Sequence, residues 1–423
     1  MSKDGVDGLS DFERKCTVMS VLMSTLIDTF SISIQYPIIP FIAERVGATK
    51  SQQGIVFSLF PFGKIFGQAA LGYMADTLGR KPAVVICLVA TSFACLFFAS
   101  ANSPNQLMAA GLIAGLAGGT WPITRTVVID VMPQEEIPRW MGIAATFMSV
   151  PYVLGPFVSG LLSRVSLQLP FYAVSATSAV VAFLTLLFMI ETKTPTKAAV
   201  AGAKNPLLTL ACTMHSSGQA IISVLCVFFQ SGIQVGYLSS FTPLIVEVFA
   251  WDVTVTTNVF AFFCLTYLVA STITSAQNTA YRMGFLNAII VGCLLMILSH
   301  LLSGFLKPPI DQFWGGPLLA ILMTSWSTGK VIADPAFFGC SSDAVPKEVQ
   351  GTFMGITSAF GSLGGVILTW LYHHLSDNGG SYRTTCYNMA FWAVTPELLF
   401  MMATYFAREY KLKTAYDPAR LLM

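Results

Sequence analysis

The chain has 423 residues, of which 54% are hydrophobic and 10% charged, and its mean hydropathy is +0.68. Soluble globular proteins carry about 25% charged residues, so this composition excludes a chain whose whole surface faces water. The formal net charge of +2 predicts no nucleic-acid partner, and the nine dispersed cysteines predict neither a disulfide framework nor a metal site.

Twelve apolar runs are long enough to cross a bilayer, since a membrane helix needs about 20 mostly apolar residues. They predict an all-α membrane protein with twelve transmembrane helices in two pseudo-symmetric six-helix bundles. The runs lie at 16–43, 53–75, 82–101, 106–129, 140–163, 167–190, 219–246, 253–276, 283–305, 314–342, 351–374 and 384–407. The predicted domains are a cytosolic N-terminus (1–15), an N-terminal bundle (16–190), a cytosolic linker (191–215), a C-terminal bundle (216–407) and a cytosolic tail (408–423). Most Lys and Arg residues then lie in cytosolic segments, as the positive-inside rule requires.

An internal repeat supports the two halves. A pattern at the end of span four and the start of span five recurs at the end of span ten and the start of span eleven. The recurring residues are Pro122, Asp130, Pro133, Glu135, Met141, Gly142 and Ile143, which match Pro335, Asp343, Pro346, Glu348, Met354, Gly355 and Ile356. Duplicated halves that face each other predict a central cavity and alternating access by rocking.

Spans one and two each carry a charge near their middle. An ionisable side chain at mid-bilayer costs about 2.5–3.5 kcal/mol on insertion scales, so each needs an explanation. Asp28 is interpreted as a proton or cationic-substrate site, with a structural ion pair as the alternative. Lys64 is interpreted either as an anion or proton site or as the structural partner of Asp28.

Between spans two and three the chain reads GYMADTLGRKP, in which Gly72, Asp76, Gly79, Arg80 and Lys81 fit the pattern G-x-x-x-D-x-x-G-R-[RK]. This resembles the signature loop of the major facilitator superfamily. The resemblance implies that Asp76 sits at the N-terminus of span eleven and that Arg80 pairs with Asp130 in span four. These contacts would hold a cytosolic gate closed. A purely topogenic basic loop is the alternative.

Span five, GIAATFMSVPYVLGPFVSG, resembles the signature of the drug/proton antiporter branch. The matching residues are Gly142, Gly155, Pro156 and Gly160, and a plain packing stripe of small residues is the alternative. Spans one and four are similar to those of tetracycline efflux pumps. One departure concerns coupling: the Arg that the family associates with proton coupling in span four is Gly111 here.

The second half carries further candidates for contacts with a substrate or a proton. Lys330 and Asp334 share one face of span ten beside Pro335, and Glu397 follows Pro396 in span twelve. Span seven places polar side chains on one face, namely Gln230, Gln234 and Tyr237. By resemblance, spans one, four, seven and ten line the cavity. Structural ion pairs and a polar packing stripe are the alternatives.

These features predict a secondary active transporter that moves a small organic solute, with proton-coupled export as the expected mechanism. An uncoupled facilitator and a transport-inactive receptor or scaffold are the alternatives. No nucleophile, metal or phosphate-loop motif appears, so neither an enzyme nor a cofactor is expected. The expected partners are a small-molecule substrate, protons and the lipid bilayer, and the expected state is a monomer.

Overall fold

The computed structural model describes residues 10–133, 135–192, 218–276, 282–305, 312–341, 350–379 and 381–415. Most of the predicted linker (191–215), the start of the N-terminus and the end of the C-terminal tail therefore lie outside the described residues. The same is true of Asp343, Pro346 and Glu348 in the second copy of the repeat. Everything that is described is helix or short connection, with no strand among these residues.

Seven helices of the described chain precede the predicted linker. Their bounds are α1 Asp11–Arg45, α2 Lys50–Thr77, α3 Arg80–Ser100, α4 Pro104–Ala117, α5 Thr120–Val131, α6 Ile137–Ser163 and α7 Leu169–Phe188. The sequence sets the first two starts through reciprocal capping boxes, Ser10 with Glu13 and Thr49 with Gln52. In such a box the cap side chain and the side chain three residues later each satisfy a free backbone N–H group.

Seven more helices follow the linker in the described residues. Their bounds are α8 Gly218–Phe249, α9 Val253–Ala276, α10 Phe285–Phe305, α11 Gln312–Ser341, α12 Gln350–Gly379, α13 Tyr382–Met389 and α14 Thr395–Ala415, with a π-helical turn at Ala390–Val394. Every predicted run coincides with helix in the described chain. Span four consists of α4 and α5, and span twelve of α13, the π turn and α14. Eight helical segments of the described chain are long and apolar enough to cross a bilayer.

The described chain divides into two compact units. The first holds α1–α7 with residues 241–246 and 251–264, and the second holds residues 218–240 and 247–250 and those from 265 onward. In the first unit α2 packs on α4, α3 on α7, and α1 on α6 and α7. In the second unit α10 packs on α11, and α12 packs on α13.

Large apolar side chains cover the outside of the helices as well as the inside. Phe93 on α3 is 56% exposed, and Phe183 and Leu187 on α7 are each 60% exposed. Such continuous apolar exposure is unfavourable in water and favourable against hydrocarbon. Together with the apolar helices, this makes the chain a multi-pass integral membrane protein.

Candidate functional site

The fourth predicted span contains a break. α4 ends at Ala117 and α5 begins at Thr120, with Gly118 and Gly119 between them. Gly119 has a φ of +153°, which glycine adopts more readily than other residues. Pro122 has no N–H to donate to the carbonyl of Gly118, and a proline ring clashes with that carbonyl in a continuous helix. The apolar run predicted at 106–129 therefore consists of two helices.

The break gives the Asp28 carboxylate its hydrogen-bond donors. Asp28 on α1 is 8% exposed, and its Oδ2 accepts a hydrogen bond of 2.8 Å from the Thr120 hydroxyl. The backbone N–H groups of Gly119 and Thr120 lie 3.4 Å from the same oxygen. A carboxylate at a helix N-terminus is stabilised by the unpaired N–H groups and by the helix dipole. Asp28 therefore caps α5, a contact between distant segments that the sequence did not predict.

This cap predicts how Asp28 variants behave. Asp28→Ala removes the acceptor from the start of α5 and is expected to lower the free energy of unfolding by about 1–2 kcal/mol. Asp28→Asn keeps an acceptor oxygen, so we expect a clearly smaller loss. Thermal unfolding in detergent measures both, with Thr120→Val as a second probe of the same contact. Equal destabilisation by the alanine and asparagine variants would contradict the capping role.

Lys64 on α2 is half-buried and lies near an aromatic ring. Its ammonium lies 6.0 Å from the centre of the Phe60 ring. Its charge acts on Asp28 through space, while the hydrogen bonds of that carboxylate come from α5. Within the described part of the chain, Lys64 and Asp28 therefore form no direct salt bridge.

The signature loop carries an ionic contact and an additional cap. Arg80 Nε lies 3.5 Å from Asp130 Oδ2. Glu191, which sequence reasoning did not select, accepts hydrogen bonds from the backbone N–H groups of Arg80 at 2.8 Å and Lys81 at 3.0 Å. Gly79 precedes them with a φ of +115°, and a Cβ there would collide with the Glu191 carboxylate. The loop therefore depends on glycine for both backbone shape and space.

The other residues of the two motifs lie on helices of the first unit. Gly72 and Asp76 lie on α2, with Gly72 exposed and the side chain of Asp76 outside the described part. Gly142, Gly155, Pro156 and Gly160 lie on α6, and the last three are buried. A Cβ at Gly155 would collide with Ser33 of α1. This glycine therefore lets α1 and α6 approach closely.

Glycines also bring α2 and α4 together. A Cβ at Gly63 would lie 2.6 Å from the carbonyl oxygen of Leu112, and one at Gly111 would lie 2.7 Å from that of Val56. Gly111 is the position where the resemblance expects Arg. Here the backbone of α2 occupies the space that a side chain would need.

In the second unit three charged side chains meet. Lys330 on α11 is fully buried, and its Nζ lies 3.2 Å from Asp334 Oδ1 and 3.8 Å from Glu397 Oε1 on α14. The Lys330 ammonium also donates to the backbone carbonyl of Gln230 on α8, at 3.4 Å. Gln230 thus contributes its main chain to this cluster. Two carboxylates share one ammonium, so the cluster carries one excess negative charge when all three groups are ionised.

A buried aromatic group adjoins the cluster along α8 and α11. The ring of Tyr237 stacks on Trp326 with centroids 4.8 Å apart, and it lies 4.8 Å from His300. His300 Nδ1 donates to the carbonyl of Met296, which leaves Nε2 to accept a hydrogen bond of 2.8 Å from the Tyr372 hydroxyl. Gln234 lies half-buried on the same helix as Tyr237. Sequence reasoning selected Tyr237 but missed Trp326, His300 and Tyr372.

The comparisons with known proteins establish the family. The sequence model described as Major Facilitator Superfamily matches residues 21–369. The chain belongs to the major facilitator superfamily. Three features of this superfamily member agree with that assignment: the all-α fold, the signature loop and the multi-pass membrane character. The predicted resemblance to the drug/proton antiporter branch is also confirmed, because the related proteins include tetracycline resistance proteins.

Related sequences and solved structures align with most of the length of this superfamily member. It is 25% identical over 357 residues to the tetracycline resistance protein, class E, of Escherichia coli, covering 83% of this chain and 85% of that protein. It is 22% identical to the class H protein of Pasteurella multocida, covering 85% and 89%. The crystal structure of the nucleoside transporter NupG matches at a TM-score of 0.72 and 16% identity, covering 92% of this chain and 99% of that one. As a member of this superfamily, the chain is a secondary transporter.

Proposed function

We propose that this transporter exports a small organic solute in exchange for protons. The observation that carries the proposal is the buried cluster of Lys330, Asp334 and Glu397, whose two acids outnumber its one base. An excess buried charge is expensive in a low-dielectric site unless a proton or a cation compensates it. A group of this kind can exchange a proton during a transport cycle.

Sequence similarity supports the class of substrate and the direction of transport. Two relatives that match more than four fifths of the chain are tetracycline resistance proteins. The α6 residues Gly155, Pro156 and Gly160 fit the drug/proton antiporter signature. We therefore infer that the substrate is an organic compound of about the size of tetracycline and that the protein moves it out of the cytosol.

The mechanism that we propose is alternating access between two six-helix bundles, at 16–190 and 216–407. The polar side chains assigned to contacts with substrate or protons are Asp28, Lys64, Gln230, Gln234, Tyr237, Lys330, Asp334 and Glu397. The loop contact of Arg80 with Asp130 would open and close on the cytosolic side. The excess of basic residues in the predicted cytosolic segments supports a cytosolic position for both termini. We propose that the protein acts as a monomer.

One observation favours an uncoupled facilitator as the second candidate. The position where the resemblance expects a coupling Arg is Gly111, which packs against the backbone of α2. A transporter without a coupling group would equilibrate its solute and could not concentrate it. The two candidates differ in their response to a pH gradient.

Flux in proteoliposomes tests the proposal. Purified full-length protein is reconstituted, and uptake of radiolabelled solutes, beginning with tetracycline, is followed with an imposed pH gradient and after a protonophore collapses it. We expect at least one solute to accumulate only while the gradient is present. If the solute still accumulates after the protonophore collapses the pH gradient, transport is not coupled to protons. Protein-free liposomes are the control.

A further inference from the structure

We infer that Glu397, and neither Asp28 nor Asp334, is the group that binds the coupling proton. This inference rests on the proposed function, because it names the residue that performs the proton step. It changes the assignment that the sequence favoured, in which Asp28 near the middle of span one was the leading proton site. The change follows from the hydrogen-bond donors that each carboxylate has around it.

Glu397 has the least favourable surroundings for a negative charge. Its side chain is fully buried, and neither carboxylate oxygen has a hydrogen-bond donor among the described residues. The ammonium of Lys330 lies 3.8 Å from Glu397 and 3.2 Å from Asp334, so Asp334 has the closer contact with the shared cation. A buried carboxylate without donors loses its hydration, and no hydrogen bond within the protein compensates that loss. The neutral carboxylic acid avoids that cost.

Asp28 and Asp334 each have a closer polar partner than Glu397 has. Asp28 accepts from the Thr120 hydroxyl at the positive end of α5. Asp334 pairs with Lys330 at 3.2 Å, and its side chain is 20% exposed, so it is less buried than that of Glu397. Where acids have such different environments, we assign the proton to the acid in the apolar site.

The elements packed around Glu397 supply no second positive charge within the described residues. α11 brings Lys330 and Asp334. The remaining titratable neighbours are weak acids from three other helices, namely Cys293 of α10, Cys226 of α8 and Tyr372 of α12. Thiols and phenols are neutral near pH 7 in apolar surroundings. With Glu397 protonated, Lys330 and Asp334 form a neutral pair and the buried cluster carries no net charge.

The backbone next to Glu397 offers a way to move the proton. The π-helical turn Ala390–Val394 ends three residues before it, and Thr395 Oγ1 donates to the carbonyl of Ala390 at 3.0 Å. A π turn contains one residue more than an α turn, and such turns recur at functional sites. Shifting that extra residue past Glu397 would rotate the carboxyl by about 100° around the helix axis. The rotation would carry the protonated group away from Lys330.

Infrared difference spectroscopy of the purified, reconstituted protein tests the inference without a substrate. A pH step should reveal the carbonyl stretch of a buried, protonated carboxylic acid. We expect Glu397→Gln to lose this band, and the matched variants Asp334→Asn and Asp28→Asn to keep it. Persistence of the band in Glu397→Gln, or its loss in Asp28→Asn alone, would overturn the inference. If Glu397→Gln does not fold, Glu397→Asp should keep the band at a shifted frequency, and an unshifted band would refute the assignment.

Transport measurements separate this inference from the proposed function. In the proteoliposome assay Glu397→Gln should lose accumulation driven by the pH gradient and retain exchange of labelled for unlabelled solute. The wild-type protein could show the carbonyl band of protonated Glu397 and yet transport solute independently of the pH gradient. That result would refute proton coupling and leave the proton site in place. Coupling that persists in Glu397→Gln would refute the site and leave proton-driven export standing.

Discussion

Replacing Lys330 by methionine is expected to lower the free energy of unfolding by about 3 kcal/mol and to abolish solute accumulation. The substitution removes the cation 3.2 Å from Asp334 and leaves that carboxylate without its partner at a largely buried site. Breaking one side of a buried ion pair costs about 3–5 kcal/mol, because the remaining charge is neither hydrated nor paired. Thermal unfolding in detergent gives the change in stability, and proteoliposome flux gives the transport.

Two double variants show which acid Lys330 balances. Lys330→Met combined with Asp334→Asn removes the pair as a whole, so we expect most of the lost stability to return. Lys330→Met combined with Glu397→Gln should recover little, because a protonated Glu397 does not depend on the cation. The opposite order of recovery would mean that Glu397 is the ionised partner of Lys330.

Gly111→Arg, which introduces the residue that the resemblance to the drug/proton antiporter branch leads us to expect, should destabilise the protein and should not increase gradient-driven flux. A Cβ at this position would lie 2.7 Å from the carbonyl oxygen of Val56, so α2 and α4 would have to separate. Overpacking of this kind typically costs about 1–3 kcal/mol, and a longer side chain stands at the upper end of that range. Unfolding temperature and gradient-driven flux measure the two effects.

Gly72→Arg is the matched control for stability. Gly72 lies on α2, and a Cβ there has no atom within 4 Å, so the same side chain extends into open space. We expect the unfolding temperature of that variant to stay close to that of the wild type. Gly111→Arg protein that is as stable as Gly72→Arg would show that the contact between α2 and α4 is not as tight as the structure indicates.

Individual residues explain why some of the site was predictable. Lys330, Asp334 and Glu397 stood out because ionisable residues in apolar runs are rare, and Lys330 and Asp334 share a face by helical spacing. Glu191 lay at the polar end of a span, where an acid attracts no notice. Trp326 and His300 read as ordinary occupants of apolar helices. The only signals for the break in span four were Gly118 and Gly119 followed by Pro122, which the hydropathy of the run concealed.

The sequence by itself determined that this protein is a helical membrane transporter of the major facilitator superfamily. Hydropathy over about 20 residues and a local loop motif are properties of neighbouring residues, so both can be read along the chain. Only the tertiary structure decided how each buried acid is compensated. Asp28 receives its donors from residues 91 and 92 positions away, and Glu397 approaches Lys330 from another helix and finds no donor among the described residues. Hydrogen bonding and charge pairing depend on distances in space, which linear spacing does not fix.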